Sequence, residues 1–303
     1  MIPHVELPGN AANWTSHDRA DVAARIGQIC RSEGYFFVHG HGIPAELIKE
    51  VYSETKRFYA LPLDEKNKYE AVEGSQFLGY RALGRERSRI HGGTEACEQY
   101  RIGNTTGDLA LTQPVNFYHE HFPTSMELFH QLTALGDGIL AACALDLGLG
   151  ESFFEKYMGT PLHRLGLNYY GANHLSEVDS PVDYAMSPHI DLSLLTVLHQ
   201  DQSGLEVRDS RGTWSQVPTI PDALFVFLAD YVQRWSNGLH RAAPHRVRGV
   251  RSSRMSIQYK HRPDYGVVVA PLEALTGPAG PPKFPPLNTG SDYVSVLRSI
   301  LGR

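Results

Sequence analysis

From residue 162 onward the chain breaks into short β-prone runs divided by Gly, Asp, Asn and Pro, and this texture holds for roughly a hundred residues. The runs are 164–170, 190–198, 205–207, 223–228, 245–250 and 254–260, an all-β signature of the jelly-roll kind. The preceding half reads differently. Val22, Ala23, Ile26, Ile29 and Cys30 recur at helical spacing between a candidate N-cap at Ser16 and a stop at Gly34. A short aromatic run, 35–38, follows. Pro44 then opens a second helix through Leu47, Val51 and Phe58, which closes before Pro62. Leu128, Leu132, Leu135 and Ile139 stripe a long helix from Ser125 that should back the sheet. Residues 74–107 are Gly-rich and read as loop, and a Pro-rich passage after residue 277 leads to a final helix over 292–301, placed to close over a site.

Within the β region lies the segment Ser187-Pro188-His189-Ile190-Asp191-Leu192. On a strand, residues i and i+2 share a face, so His189 and Asp191 would present an imidazole and a carboxylate side by side. The triplet alone means little. With 15 His and 33 acidic residues, chance supplies about one or two His-x-Asp/Glu triplets, and His4/Glu6 and His199/Asp201 are further examples. What distinguishes His189/Asp191 is the strand-like run after it and a third candidate, His245, at the head of another β-type segment. Two His and one carboxylate on one face of an octahedron, with the opposite positions open, form the site expected for non-haem Fe(II) that activates O2.

An iron that activates O2 needs a source of electrons. If that source is 2-oxoglutarate, its keto-acid end chelates the metal and its far carboxylate needs a fixed cation, best met by the planar, untitratable fork of Arg. Arg254 fits, because strand alternation places Arg254 and Ser256 on one face and Met255, Ile257 and Tyr259 on the other. Arg251-Ser252-Ser253 has no such alternation and reads as a turn. In 165–170 the same period groups Gly166, Asn168 and Tyr170, so Asn168 and Tyr170 would face the interior of the barrel.

Composition bounds the rest. A chain of 303 residues, 42% hydrophobic, builds a real core, and a net charge of −5 spread over both signs argues against a nucleic-acid partner. Cys30, Cys97 and Cys143 are widely spaced and read as buried or free thiols in a reducing compartment. The N-terminus lacks a basic-then-apolar leader, and the longest apolar run, near 139–145, is too short for a bilayer. The expectation is a cytoplasmic protein with no membrane partner, a monomer or weak homo-oligomer. For the substrate, Phe77, Tyr80, Arg81, Arg85, Arg87, Arg89, Tyr100 and Arg101 suggest a basic, aromatic rim that cradles a small anionic molecule.

Taken together, these residues resemble the isopenicillin N synthase-like group of Fe(II)- and 2-oxoglutarate-dependent oxygenases. The similarity runs from Gly34-Tyr35-Phe36-Phe37-Val38-His39-Gly40-His41-Gly42-Ile43-Pro44 and Leu61-Pro62-Leu63-Asp64-Glu65-Lys66 through His189-x-Asp191 with its Leu-Leu-Thr run. It continues through Gly204-Leu205-Glu206-Val207, Trp235-Ser236-Asn237-Gly238, His245-Arg246-Val247, Arg254-x-Ser256 and Pro281-Pro282-Lys283-Phe284. The resemblance implies a mixed α/β, mainly β fold. Its double-stranded β-helix core, a distorted jelly roll, spans 161–262, with a helical and strand region over 1–160 wrapped on it and a strand-and-helix tail over 263–303, all one structural unit. It implies that His189, Asp191 and His245 hold the metal, with His240 the wrong histidine. It also implies that Arg254, Ser256, Asn168 and Tyr170 hold 2-oxoglutarate. The activity implied is hydroxylation, desaturation or ring formation at an unactivated C–H bond of a small molecule, consuming O2 and releasing succinate and CO2. Departures are Gly171 where Pro is common, Leu228-Ala229-Asp230 for Ile-Gly-Asp, and His261-Arg262-Pro263 for a more apolar sequence. Retention of Asp191 disfavours a halogenating variant. The alternative within the group is a 2-oxoglutarate-independent oxidase in which Arg254 and Ser256 grip a substrate carboxylate. Outside it stand a binding protein and a Zn-dependent hydrolase on the same fold.

Overall fold

The computed structural model describes residues 1–90, 92–113, 118–276 and 280–302. In chain order the elements are β1 (His4–Glu6), α1 (Ser16–Ser32), β2 (Tyr35–His39), α2 (Ala45–Tyr59), α3 (Leu63–Asn67), β3 (Gly79–Arg81), β4 (Glu98–Gly103), α4 (Tyr118–His121) and α5 (Ser125–Asp146). Then come β5 (Arg164–Tyr170), β6 (Tyr184–His189), β7 (Leu195–Gln200), β8 (Leu205–Arg208), β9 (Trp214–Gln216), β10 (Leu224–Leu228), α6 (Asp230–Trp235), β11 (His245–Arg248), β12 (Arg254–His261), β13 (Val268–Val269), β14 (Leu287–Asn288) and α7 (Thr289–Leu301). An eight-stranded sheet runs β1-β2-β10-β7-β12-β5-β4-β3 and a four-stranded sheet runs β6-β11-β8-β9, which together make the expected jelly roll.

Alternation along the large sheet divides the interior in two. Phe36 and Val38 of β2, Leu195 and Val197 of β7, Leu224, Val226 and Leu228 of β10, and Ile257 and Tyr259 of β12 face the helices. There they join Val22, Ile26 and Cys30 of α1 and Leu128, Leu132, Leu135 and Ile139 of α5. The opposite set, including Tyr35, Phe37, Leu198, Phe225 and Phe227, meets Leu205, Val207 and Val247 of the small sheet. Each large side chain buried this way contributes about 1.5–3 kcal/mol. Helix α5 is 22 residues and, by length and composition, apolar enough to cross a bilayer, contrary to the sequence estimate; two-thirds of its apolar window is buried in the protein, as a core helix requires.

Other differences are local. The N-cap of α1 is Thr15, not Ser16, and its hydroxyl and Asp18 form a reciprocal capping box. Region 74–107 is not all loop: β3 and β4 extend the large sheet beyond β5. The run 190–198 is not one strand. His189 ends β6, and residues 190–194 turn the chain from the small sheet to the large one before β7 begins. Backbone bonds from Asp230 to Asp191, Leu194 to His261 and Tyr231 to Ser193 hold that turn.

Candidate metal and co-substrate site

Antiparallel pairing of β6 with β11 sets His189 directly opposite His245. The adjacent turn delivers Asp191, so the three ligand atoms lie within 4.8 Å of one another. The three expected residues thus converge, but not through i, i+2 alternation, since Asp191 is off the strand. Each imidazole has its Nδ1 against a backbone carbonyl, His189 with Ser187 at 2.8 Å and His245 with Ala243 at 3.1 Å. That contact fixes the tautomer and leaves both Nε2 lone pairs for a metal. Burial pushes His245 down to about 3, with the neighbouring His189 adding to the effect, so its ring is neutral at ordinary pH.

Asp191 is held just as firmly. Its Oδ2 accepts from Thr196 Oγ1 at 2.6 Å, and its Oδ1 faces His189 Nε2 at 3.5 Å, His245 Nε2 at 3.9 Å and Lys260 Nζ at 2.7 Å. Burial alone would raise its pKa, but Lys260 and the two His outweigh burial and hold the carboxyl well below the usual range. Two imidazoles and one carboxylate, with second atoms braced by the protein, form a donor set suited to Fe(II).

One face of the large sheet carries the rest. Residues Arg254, Ser256, Gln258 and Lys260 of β12 pair with Tyr170, Asn168, Gly166 and Arg164 of β5. Outward from β5, Asn168 and Gly166 pair with Gln99 and Arg101 of β4. All of these except Gly166 line a single cavity with the metal triad. At one pole Arg254, 1% exposed, donates Nε to Gln202 O at 3.0 Å and Nη2 to Gln200 Oε1 at 2.8 Å, and stacks 4.8 Å over the Tyr170 ring. Its Nη1 is buried without a partner. Asn168 Nδ2 reaches Ser256 Oγ at 3.4 Å. A buried guanidinium held on two sides and open on the third is a carboxylate receptor.

The opposite pole is also cationic. Arg101 lies flat across Gly166, where an added Cβ would stand 1.7 Å from its Nη1. With its amide oxygen turned to the guanidinium, Gln258 accepts from Arg101 Nη1 at 2.7 Å and Nη2 at 3.1 Å. Arg81 pairs with Glu86, whose other oxygen accepts from Gln99 at 2.6 Å. Arg164 donates to the Asn104 and His163 carbonyls, both at 2.8 Å, and Arg262 Nε donates to Leu192 O at 2.7 Å. Arg262 stacks 4.4 Å over the ring of Tyr293, which α7 inserts into the cavity wall with Leu297 and Ile300.

The basic, aromatic rim expected from sequence separates in the structure. Arg81 and Arg101 line the cavity, as do the exposed Arg87 and Arg89 at its mouth. Arg85 does not; it pairs with Glu70 at 3.4 Å on the outside. Tyr80 and Tyr100 are a correction as well, because on β3 and β4 they alternate away from Arg81, Gln99 and Arg101 and pack beside Phe58. Phe77 lies in a small core with Leu297 and Leu301 beneath α7. Sequence reasoning missed Arg164, Gln258, Lys260, Arg262 and Tyr293. Carrying the period-two face of β12 beyond Ser256 would have found three of them.

Residues 161–263 match the family described as the 2OG-Fe(II) oxygenase superfamily. Residues 2–123 match the one described as non-haem dioxygenase in morphine synthesis N-terminal. Among curated relatives, Homoarginine-6-hydroxylase 2-ODD-C23 of Glycine max is 30% identical over 267 residues, covering 84% of this chain and 81% of the relative. The 2-oxoglutarate-Fe(II) type oxidoreductase hxnY of Emericella nidulans is 28% identical over 304 residues, covering 94% and 86%. Among solved structures, a full-length Neurospora crassa protein in complex with alpha-KG and thymine superposes with a TM-score of 0.81 at 20% identity, covering 99% of this chain and 96% of that one, a likeness of fold.

Proposed function

This chain belongs to the 2OG-Fe(II) oxygenase superfamily, and from that premise we propose that His189, Asp191 and His245 hold its iron, while Arg254, Ser256, Asn168 and Tyr170 hold 2-oxoglutarate. The protein is a 2-oxoglutarate-dependent dioxygenase, an oxidoreductase using Fe(II), 2-oxoglutarate and O2. Bound together, these supply the oxidising power to functionalise an unactivated C–H bond, with succinate and CO2 released. The protein's own contribution is placement. Ser187 and Ala243 carbonyls orient the two imidazoles, and Thr196 fixes the carboxylate. The observation carrying the co-substrate assignment is the orphaned, buried Nη1 of Arg254. The 2-oxoglutarate-independent oxidase is not favoured, because the family match is to 2-oxoglutarate users and the cavity has further arginines for a substrate acid.

The substrate in this reading is a small anionic molecule. Support comes from the cationic lining opposite Arg254, which also opposes transfer of the cationic homoarginine in the soybean relative's name. The reading extends to a cytoplasmic enzyme, monomeric or weakly associating; the free, buried state of Cys30, Cys97 and Cys143 supports the reducing compartment. The test is anaerobic addition of Fe(II), then 2-oxoglutarate, to the apoprotein while following the visible charge-transfer band of the chelated keto acid. The band should form with wild type and fail with His245→Gln. A wild-type protein that binds iron and gives no band would overturn the assignment.

A further inference from the structure

The acids of the cavity are all engaged. Glu86 serves Arg81 and Gln99, Glu95 accepts the backbone N–H of Ser187 at 2.9 Å, and Asp191 belongs to the metal site and Lys260. Among the described residues this leaves Arg164 and Arg262 with no carboxylate and Arg101 with none bonded to it directly, Glu86 reaching it only through Gln99. Their partners are amide oxygens, backbone carbonyls and a phenol. Arg164 and Arg262 are only 2% and 7% exposed, and Arg164 Nε is buried with no partner at all. Uncompensated buried guanidiniums are strongly unfavourable unless an anion completes them.

These cations form two stations. Arg101 crosses from β4 to lie over Gly166 of β5, and Arg164 crosses from β5 to lie over Gly103 of β4, so the stations are offset by two residues and one strand, roughly 8 Å, a spacing that a short diacid bridges. Arg262 extends the second station from the end of β12, beside Lys260, which is paired with Arg164 across the sheet. Resting on the oxygenase reading above, we infer that the substrate is a short dicarboxylate, one carboxylate received by Arg101 and the other by Arg164 with Arg262 under Tyr293. A planar fork at each station matches a carboxylate at each end, and a single compact anion reaches only one of them.

The experiment loads the protein anaerobically with Mn(II) and saturating 2-oxoglutarate, then titrates succinate, glutarate and adipate, their monoamides and inorganic phosphate by calorimetry. Saturating 2-oxoglutarate keeps the diacids off Arg254. At least one diacid is expected to bind ten-fold or more tightly than its monoamide and than phosphate. Arg262→Gln should cost it at least ten-fold, with partial recovery in Arg262→Lys, and Arg101→Gln supplies a second probe if Arg262→Gln folds poorly. Monoamides or phosphate binding as well as every diacid, or diacid binding seen only without 2-oxoglutarate, would overturn the inference, as would variants with unchanged affinity. The charge-transfer band of the Fe(II) form separates the two readings. Its absence in wild type sinks the co-substrate assignment, whereas a normal band with no diacid binding sinks only the dicarboxylate.

Discussion

Replacing Arg254 is the sharpest test of how this cavity is organised. The guanidinium makes two bonds to the protein, to Gln202 O and Gln200 Oε1, and these aim its third nitrogen, with no partner of its own, into the cavity. Lysine keeps the charge and cannot keep the fork, so Arg254→Lys forfeits the equivalent of one aimed, charge-assisted hydrogen bond, about 1.5–3 kcal/mol. At roughly 1.4 kcal/mol per tenfold, the 2-oxoglutarate Kd should rise by about 10- to 100-fold. Arg254→Ala loses the charge as well and should exceed about 100-fold. The assay is anaerobic titration of the Fe(II) protein with 2-oxoglutarate, scored by the charge-transfer band at fixed ionic strength. The order wild type, Lys, Ala is the prediction. If either variant binds within about three-fold of wild type, the far carboxylate is held elsewhere and the open nitrogen has another purpose.

Thr196→Val removes the hydroxyl that fixes Asp191 Oδ2. Fe(II) affinity should fall by about 10- to 100-fold, as is usual for loss of a ligand's hydrogen-bonded support; an unchanged Fe(II) titration would show that Lys260 alone holds the carboxylate. Gly34→Ala puts a Cβ at φ +76° and 1.9 Å from the Arg241 carbonyl, so destabilisation of at least about 2 kcal/mol is expected from left-handed strain plus displaced backbone. Urea unfolding checks it, and an unmoved midpoint would mean the turn relaxes freely. Tyr293 supplies the pH dependence. Burial opposes its ionisation, yet Arg164, Arg262 and Arg81 pull the phenol down to about 7, with Arg101 nearby. Below that pH the phenol is neutral; above it the phenolate claims the arginines. Dicarboxylate affinity should therefore fall as pH rises through about 7, by up to tenfold per unit, and Tyr293→Phe should flatten the profile. A profile of the same slope in both proteins would remove Tyr293 from the account.

What could be read in advance follows from how far each signal travels along the chain. His189, Asp191, His245 and the Arg254-x-Ser256 pair were legible because each sits in a short segment whose neighbours share its pattern. The two faces of 164–170 and 254–260 were legible because period two needs no knowledge of partners. Phe77, Tyr80 and Tyr100 were misread because residues 74–107 hold two short strands among glycines, and without the pairing of β3 and β4 nothing says which side faces the cavity. Arg164 and Arg262 gain meaning only through Tyr293, which reaches them from the last helix, and no local pattern announces that contact. The off-strand position of Asp191 was hidden for a related reason. The turn at 190–194 is held by Asp230, Tyr231 and His261, all remote in sequence, while its own residues look as strand-like as β7.

The central strand β12 ties stability to chemistry more closely than the site residues alone suggest. Ile257 and Tyr259 fill the core against the helices, with Tyr259 bonded to Thr133 of α5 at 2.8 Å. Between them and flanking them, Ser256, Gln258 and Lys260 face the cavity, with Arg254 and Arg262 at either end. A slip of one residue would bury the charges in the helical core and empty the cavity of cations, so the burial of Ile257 and Tyr259 also sets the register of the receptor. The poles are then as far apart as the strand makes them. Arg254 and Arg262 are eight residues apart on a rise of about 3.3 Å each, close to 26 Å along the strand before twist. That length leaves room for a co-substrate at one end and a second acid toward the other, with the metal ligand Asp191 reached from Lys260 between them.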